Sequence, residues 1–277
     1  MEKYDAFLFD CDGVIWRGND PVPGSIETLN LLKSQGKKIF FITNNSSKTR
    51  TEFSQKLSDL GFQANPNQLY STSMAVPKYL KKHYPEVSKL FLIGMEGFKE
   101  ELQKEGFQVV KESDLPKVRL SCFSELQNIE VDSSIDAVVT GSDMQFNYLS
   151  GCYACGLIRM GKKFLAACTD SYFVLKNGNM PGSGAILAFL EAASEQKAEV
   201  VGKPNSFMID LVIEDWELDR SRCLMVGDRI DTDILFGTKA GIDTALVLTG
   251  ASKEEDLQMF DFKPTYIYES VAKLFSS

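Results

Sequence analysis

Short continuous apolar runs alternate with helical patterns along this 277-residue chain, and that alternation limits the fold more than any other feature. Tyr4–Phe9, Ile39–Ile42, Leu90–Ile93, Ala137–Val139, Phe164–Ala167, Val200–Val201, Cys223–Val226, Ala245–Leu248 and Tyr266–Tyr268 read as strands buried on both faces. Helical spacing lies between them, around Leu29, Leu57 and Leu102, over 145–160, and over 206–215 and 231–240. Asn177 to Gly184 reads as a loop. No 20–50-residue repeat is visible. The pattern predicts two α/β domains with parallel sheets, one inserted into the other.

Charge and composition remove several functions. With 30 Lys and Arg against 38 Asp and Glu, the net charge of −8 disfavours a nucleic-acid or anionic-membrane partner. The single histidine, His83, leaves little room for a His-based triad or zinc site. Six scattered cysteines form no disulfide framework, and Cys152 and Cys155 read as packing thiols on a helix. No apolar run exceeds six residues, far short of a membrane span, and MEKYDAFLFDCDG at the start shows no targeting segment. A cytoplasmic location is therefore expected.

The strand ends carry the chemistry, because ligands of open α/β sheets bind beyond the carboxyl ends of the strands. Those ends read Asp10-Cys11-Asp12-Gly13-Val14, Thr43-Asn44-Asn45-Ser46, Gly202-Lys203-Pro204 and Gly227-Asp228-Arg229, with Asp231 and Asp233 following. Converging carboxylates repel one another, and a hard divalent cation such as Mg²⁺ relieves that. Lys203 adds positive charge, Thr43 and Asn44 add donors, and Ser46 and Ser47 precede a helix start that favours anions. The set suits a metal-bound phosphate ester. Trp16 reads as a packed residue shaping the entrance, and Cys11 as packing.

These four segments, in this order, resemble the motifs of the haloacid dehalogenase superfamily. FDCDGVIWRG (9–18), FITNNSSKTR (41–50), VGKPNSFM (201–208) and MVGDRIDTDILFGTKAG (225–241) are similar to its subgroup of p-nitrophenyl, phosphoglycolate and pyridoxal phosphate phosphatases. The resemblance implies a Rossmann-like parallel-sheet core over 1–78 and 198–277, with an inserted α/β cap domain over 79–197. It implies Asp10 as nucleophile, forming an aspartyl-phosphate, and Asp12 as general acid and then base. Mg²⁺ would bind Asp10, the main-chain carbonyl of Asp12 and Asp228, with Asp233 behind them. Thr43, Asn44, Asn45 and Lys203 would hold the phosphoryl group. A dehalogenase lacks the second aspartate, so Asp12 favours a phosphatase.

The cap would set specificity, at Ser142 and Asp143 after one strand and Asp170 after another. Pyridoxal phosphate phosphatases present an aromatic residue and a histidine there. This chain has Ser142 and Phe173–Val174 with no histidine, so a small polar ester such as phosphoglycolate or glycerol phosphate is expected. A pyridoxal phosphate phosphatase, a protein phosphatase, a phosphotransferase and a non-catalytic regulatory binder are the alternatives. A homodimer through the cap is the expected assembly.

Overall fold

A computed structural model describes residues 1–116, 122, 125–126, 129–175 and 178–275. Asn177 and the side chain of Val174 lie outside the described residues. The chain divides into two compact units. The first comprises 1–43, 50–71 and 203–277, and the second 44–49 and 72–202. No helix among the described residues is long and apolar enough to cross a membrane.

The first unit is built on a six-stranded parallel sheet. Its spatial order is Tyr266–Tyr268, Asp243–Val247, Cys223–Gly227, Ala6–Asp10, Lys38–Thr43 and Leu69–Ser71. Counted along this unit, that is the Rossmann order 3-2-1-4-5-6, read from the other edge. The order reverses between Ala6–Asp10 and Cys223–Gly227, whose register pairs Phe9 with Val226. Asp10 and Asp228 therefore emerge side by side at the switch point. Tyr4, Phe7, Phe9, Phe41, Phe53, Leu57, Val226 and Val247 fill the core on one face. Burial of each such side chain stabilises the unit by about 1.5–3 kcal/mol.

The second unit has its own five-stranded parallel sheet, ordered Glu199–Val200, Lys163–Ala166, Ala137–Thr140, Lys89–Ile93 and Gln108–Val110. Tyr153 and Leu157 of the helix Tyr148–Arg159 and Leu187 and Leu190 of the helix Ser183–Ser194 share one core with Phe91 and Val138 of the sheet. The architecture is thus a Rossmann-like parallel core with an inserted α/β domain.

Two local readings need correction. Residues 178–181, expected as loop, pair antiparallel with Tyr172–Leu175 as a hairpin. Gly178, Asn179 and Pro181 are poor strand formers, but Pro181 stands at the strand's end, where the missing N–H is tolerated. Sequence periodicity also passes over Leu69–Ser71 and the helix Thr72–His83. The strand has only three residues, and the helix opens on buried Thr72 and Ser73 and contains Pro77, so neither shows a clean apolar stripe.

Candidate active site

Asp10 ends the central strand, and its carboxylate lies among those of Asp228 and Asp233, with one oxygen of each within 4.8 Å of the others. All three are at least 93% buried. Lys203, equally buried, donates from Nζ to Asp10 Oδ1 and to Asp233 Oδ1 at 2.7 Å. Three carboxylates face one ammonium, an excess of two negative charges in a buried site when all three are ionised.

The electrostatics follow from that excess. Burial, aided by repulsion from Asp233 and Asp228, pushes the Asp10 carboxyl well above the usual range despite Lys203. Asp228 is pushed up to about 7 by burial and by Asp233, with the Ala251 N–H opposing. Burial alone would lower the Lys203 ammonium, but Asp10 and Asp233 outweigh it and hold it above its ordinary value. A divalent cation among these oxygens would supply the two missing charges, so the donor set fits Mg²⁺.

Local structure fixes each group. Asp233 sits on a π-helical turn, Ile230–Ile234, a distortion common at functional sites. Its Oδ2 accepts the N–H groups of Asp228 and Arg229 at 3.1 Å each, while Oδ1 takes Lys203. Asp231, on the same turn, points outward and pairs with Arg229. Asp228 Oδ2 accepts the Ala251 N–H at 2.7 Å. Gly13 and Gly250 wall it in: a Cβ on Gly13 would lie 2.6 Å from Asp228 Oδ2, and one on Gly250 would overlap the carboxylate. Gly13 also has φ +88°, which favours glycine.

Asp12 stands apart from the buried cluster. Its side chain is exposed, and its Oδ1 accepts the Trp16 indole N–H at 2.8 Å. Arg17 donates to the Thr249 carbonyl, and Thr249 Oγ1 donates to the Gly13 carbonyl at 2.7 Å. The segment 249–251 thus braces both Asp228 and the loop after Asp10. Sequence reasoning passed over it, although Thr249-Gly250 lies two residues past the strand Asp243–Val247.

Thr43 ends Lys38–Thr43 and is buried in the first unit. Asn44 and Asn45 belong to the second. Asn44 Nδ2 donates to Asp170 Oδ2 at 2.7 Å, and Asn45 Oδ1 accepts the N–H and hydroxyl of Ser47. Ser142 donates its backbone N–H to Ser46 Oγ at 3.2 Å, and Asp143 Oδ1 accepts the Gln145 N–H at 2.9 Å. Cys11 is buried, and burial raises its thiol pKa. Cys152 and Cys155 are free thiols on the helix Tyr148–Arg159, as the packing reading expects.

Comparison with known proteins agrees with this frame. A model described as haloacid dehalogenase-like hydrolase matches residues 7–108, and a second, HAD-hydrolase-like, matches 200–274. The chain belongs to the haloacid dehalogenase-like hydrolases. It is 37% identical to a 4-nitrophenylphosphatase of Schizosaccharomyces pombe, over 99% of this chain and 94% of that protein. It is 39% identical to phosphoglycolate phosphatase 2 of Arabidopsis thaliana, over 93% and 87% of the two chains. The crystal structure of a 4-nitrophenylphosphatase from Thermotoga maritima superposes with a TM-score of 0.85 at 29% identity, covering 99% of this chain and 97% of that one.

Proposed function

We propose that the chain is a Mg²⁺-dependent phosphomonoesterase that hydrolyses small phosphorylated metabolites through an aspartyl-phosphate on Asp10. The observation that carries this reading is the buried set of Asp10, Lys203, Asp228 and Asp233, two positive charges short of neutral. A further carboxylate, exposed Asp12, supplies what a mere binder has no use for: an acid and base for the reaction. The 4-nitrophenylphosphatase and phosphoglycolate phosphatase relatives support a phosphatase acting on small esters.

Asp10, Asp228 and the main-chain carbonyl of Asp12 would hold Mg²⁺, with Asp233 behind them fixing Lys203 and the Asp228 backbone. Bound there, Mg²⁺ supplies the positive charge that lets a phosphate dianion approach carboxylates. An Asp10 oxygen attacks phosphorus, and the P–O bond to the alcohol breaks as Asp12 gives that oxygen its proton. Asp12, now a carboxylate, takes a proton from water. The water oxygen bonds to phosphorus, the Asp10–phosphorus bond breaks, and inorganic phosphate leaves. Lys203 offsets charge on the transferring oxygens, with Thr43, Asn44 and Asn45 as further donors.

These groups treat all phosphomonoesters alike, so we assign ester choice to the inserted domain, at Ser142. Asp143 and Asp170 support it through the turn at Gln145 and the tether to Asn44. The preferred class is a small polar ester such as phosphoglycolate or glycerol phosphate, rather than pyridoxal phosphate. Tyr172, Phe173 and Met180 are exposed on the hairpin of this domain, and there we place a homodimer contact, testable by sedimentation of Phe173→Asp. The test of the function is a panel of phosphate esters with Mg²⁺, combined with acid quenching during turnover. Labelled phosphate bound to protein and lost in Asp10→Asn is expected. Turnover without any phosphoenzyme in rapid-quench samples overturns the mechanism.

A further inference from the structure

The loop after the nucleophile is folded to hold one side chain against another. Gly13 N–H donates to the Trp16 carbonyl at 2.7 Å, and the N–H groups of Ile15 and Trp16 both donate to the Cys11 carbonyl. Residues 12 and 16 are thereby brought edge to edge as an isolated bridge. Trp16 then begins a short strand paired with Asp20–Pro21. Its ring is fully buried, and Lys56 Nζ lies 4.2 Å from the ring centroid, over its face. An indole packed this way cannot follow a moving partner. Asp12 is exposed, and an exposed carboxylate ordinarily samples several rotamers. The Trp16 N–H ties it down at Oδ1.

We infer that Trp16 is a positioning residue for Asp12 that fixes which carboxylate oxygen carries the proton. The inference rests on the acid–base reading of Asp12 proposed above. An N–H aimed at Oδ1 requires an acceptor there. In the protonated acid, Oδ1 is therefore the carbonyl oxygen and the proton sits on Oδ2. In the carboxylate, the same bond keeps Oδ2 turned toward its work. Tryptophan suits this post because it offers a donor and no acceptor, so it cannot compete for the proton.

The test compares Trp16→Phe, which keeps an aromatic ring and removes the N–H, with wild type on two substrates. Single-turnover phosphorylation is measured with an alkyl phosphate, whose alkoxide needs a proton, and with p-nitrophenyl phosphate, whose leaving group does not. Loss of a hydrogen bond to a group that becomes charged as it gives up its proton predicts a roughly tenfold or larger fall for the alkyl ester. The p-nitrophenyl rate stays within twofold, and KM is unchanged for both. In an Asp12→Asn background, Trp16→Phe adds no further loss. An equal loss on both substrates, or an added loss in that background, assigns Trp16 to packing alone and overturns the inference. If Asp12→Asn itself shows no dependence on the leaving group, the acid role of Asp12 fails, separately from Trp16.

A second measurement does not need the Phe variant to fold. The chain has two tryptophans, so its indole ¹⁵N–¹H spectrum holds two signals, assigned with Trp216→Phe. Asp12→Ala should move the Trp16 signal upfield as its acceptor disappears. A Trp16 signal that stays in place shows that no such bond exists.

Discussion

In the first unit, strand ends bring Asp10 and Asp228 together where the strand order reverses, the π-helical turn adds Asp233, and Lys203 reaches them from the segment that follows the inserted unit. In the inserted unit, strand ends of the same parallel kind carry Ser142, Asp143 and Asp170. There the backbone of Ser142 and the carboxylates of the other two are engaged in a bond to Ser46, a turn and a tether. The difference lies in what structure alone would require. A turn needs an acceptor, so Asp143 has a structural reason to be polar. Folding gains nothing from three carboxylates around one buried lysine, since unpaired buried charge is strongly unfavourable. Groups held at such a cost point to the reaction, whereas the second set could exist in a protein that binds nothing.

The sharpest way to break this contrast is Asp10→Asn. The amide cannot form an acyl phosphate, so kcat should fall at least about 10³-fold while circular dichroism is unchanged. A loss of only a few-fold would mean that the buried cluster is not the reaction centre.

Chelation comes next and should silence the enzyme until Mg²⁺ is restored. It should also change how stability depends on pH. In the metal-free protein, Asp228 has a folded-state pKa of about 7, above the unfolded value of about 3.9. Its contribution to stability is complete below the unfolded value and disappears as pH rises through about 7; Asp10 acts in the same direction. The rise in Tm on adding Mg²⁺ should therefore grow as pH rises from roughly 4 through 7. Thermal melts across that range, with chelator and with Mg²⁺, check this. A gain independent of pH would place the ion elsewhere.

Within the inserted unit, Asp170→Ala should lower kcat/KM for every ester by a common factor of roughly ten, because it removes the acceptor of the Asn44 Nδ2 hydrogen bond. Ser142→Ala should instead reorder the esters, by about 1–3 kcal/mol per contact, with p-nitrophenyl phosphate within a few-fold of wild type. If Asp170→Ala reorders the esters and Ser142→Ala does not, the two roles are exchanged.

The smallest effect concerns Thr140, at the end of the inserted unit's middle strand. Its Oγ1 is the buried side-chain polar atom without a hydrogen-bond partner among the described residues. Thr140→Val should stabilise by about 1 kcal/mol and raise Tm by about 2 °C with activity unchanged. A lower Tm would show that the hydroxyl has a partner.

The same contrast explains what could be read from the sequence. Asp10, Lys203, Asp228 and Asp233 are legible because each lies on or just after a strand end, or two turns of chain beyond it, in a fixed order. The parallel strands are legible because they are continuous apolar runs. The bond from Trp16 to Asp12 is not, because Trp16 satisfies a packing reading completely and its N–H adds nothing to the apolar pattern. Ala251 is invisible for another reason: it contributes a backbone N–H, which any residue but proline could supply. The strands Tyr172–Leu175 and Gly178–Pro181 escaped because they are held by pairing with each other rather than by their own propensities.

The central strand has a further consequence, for the chain as it is made. Ala6 pairs with Lys38 on one side and with Cys223, 217 residues further along, on the other. A contact that distant forms late, after the closing of a long loop. The inserted unit, whose strands all lie between Lys89 and Val200, can assemble from the ribosome first, while Ala6–Asp10 waits with one side unpaired. Asp10 is synthesised almost at once, yet it has no Lys203, Asp228 or Asp233 beside it until the last third of the chain has emerged. Nascent and truncated chains therefore carry Asp10 without the rest of its site.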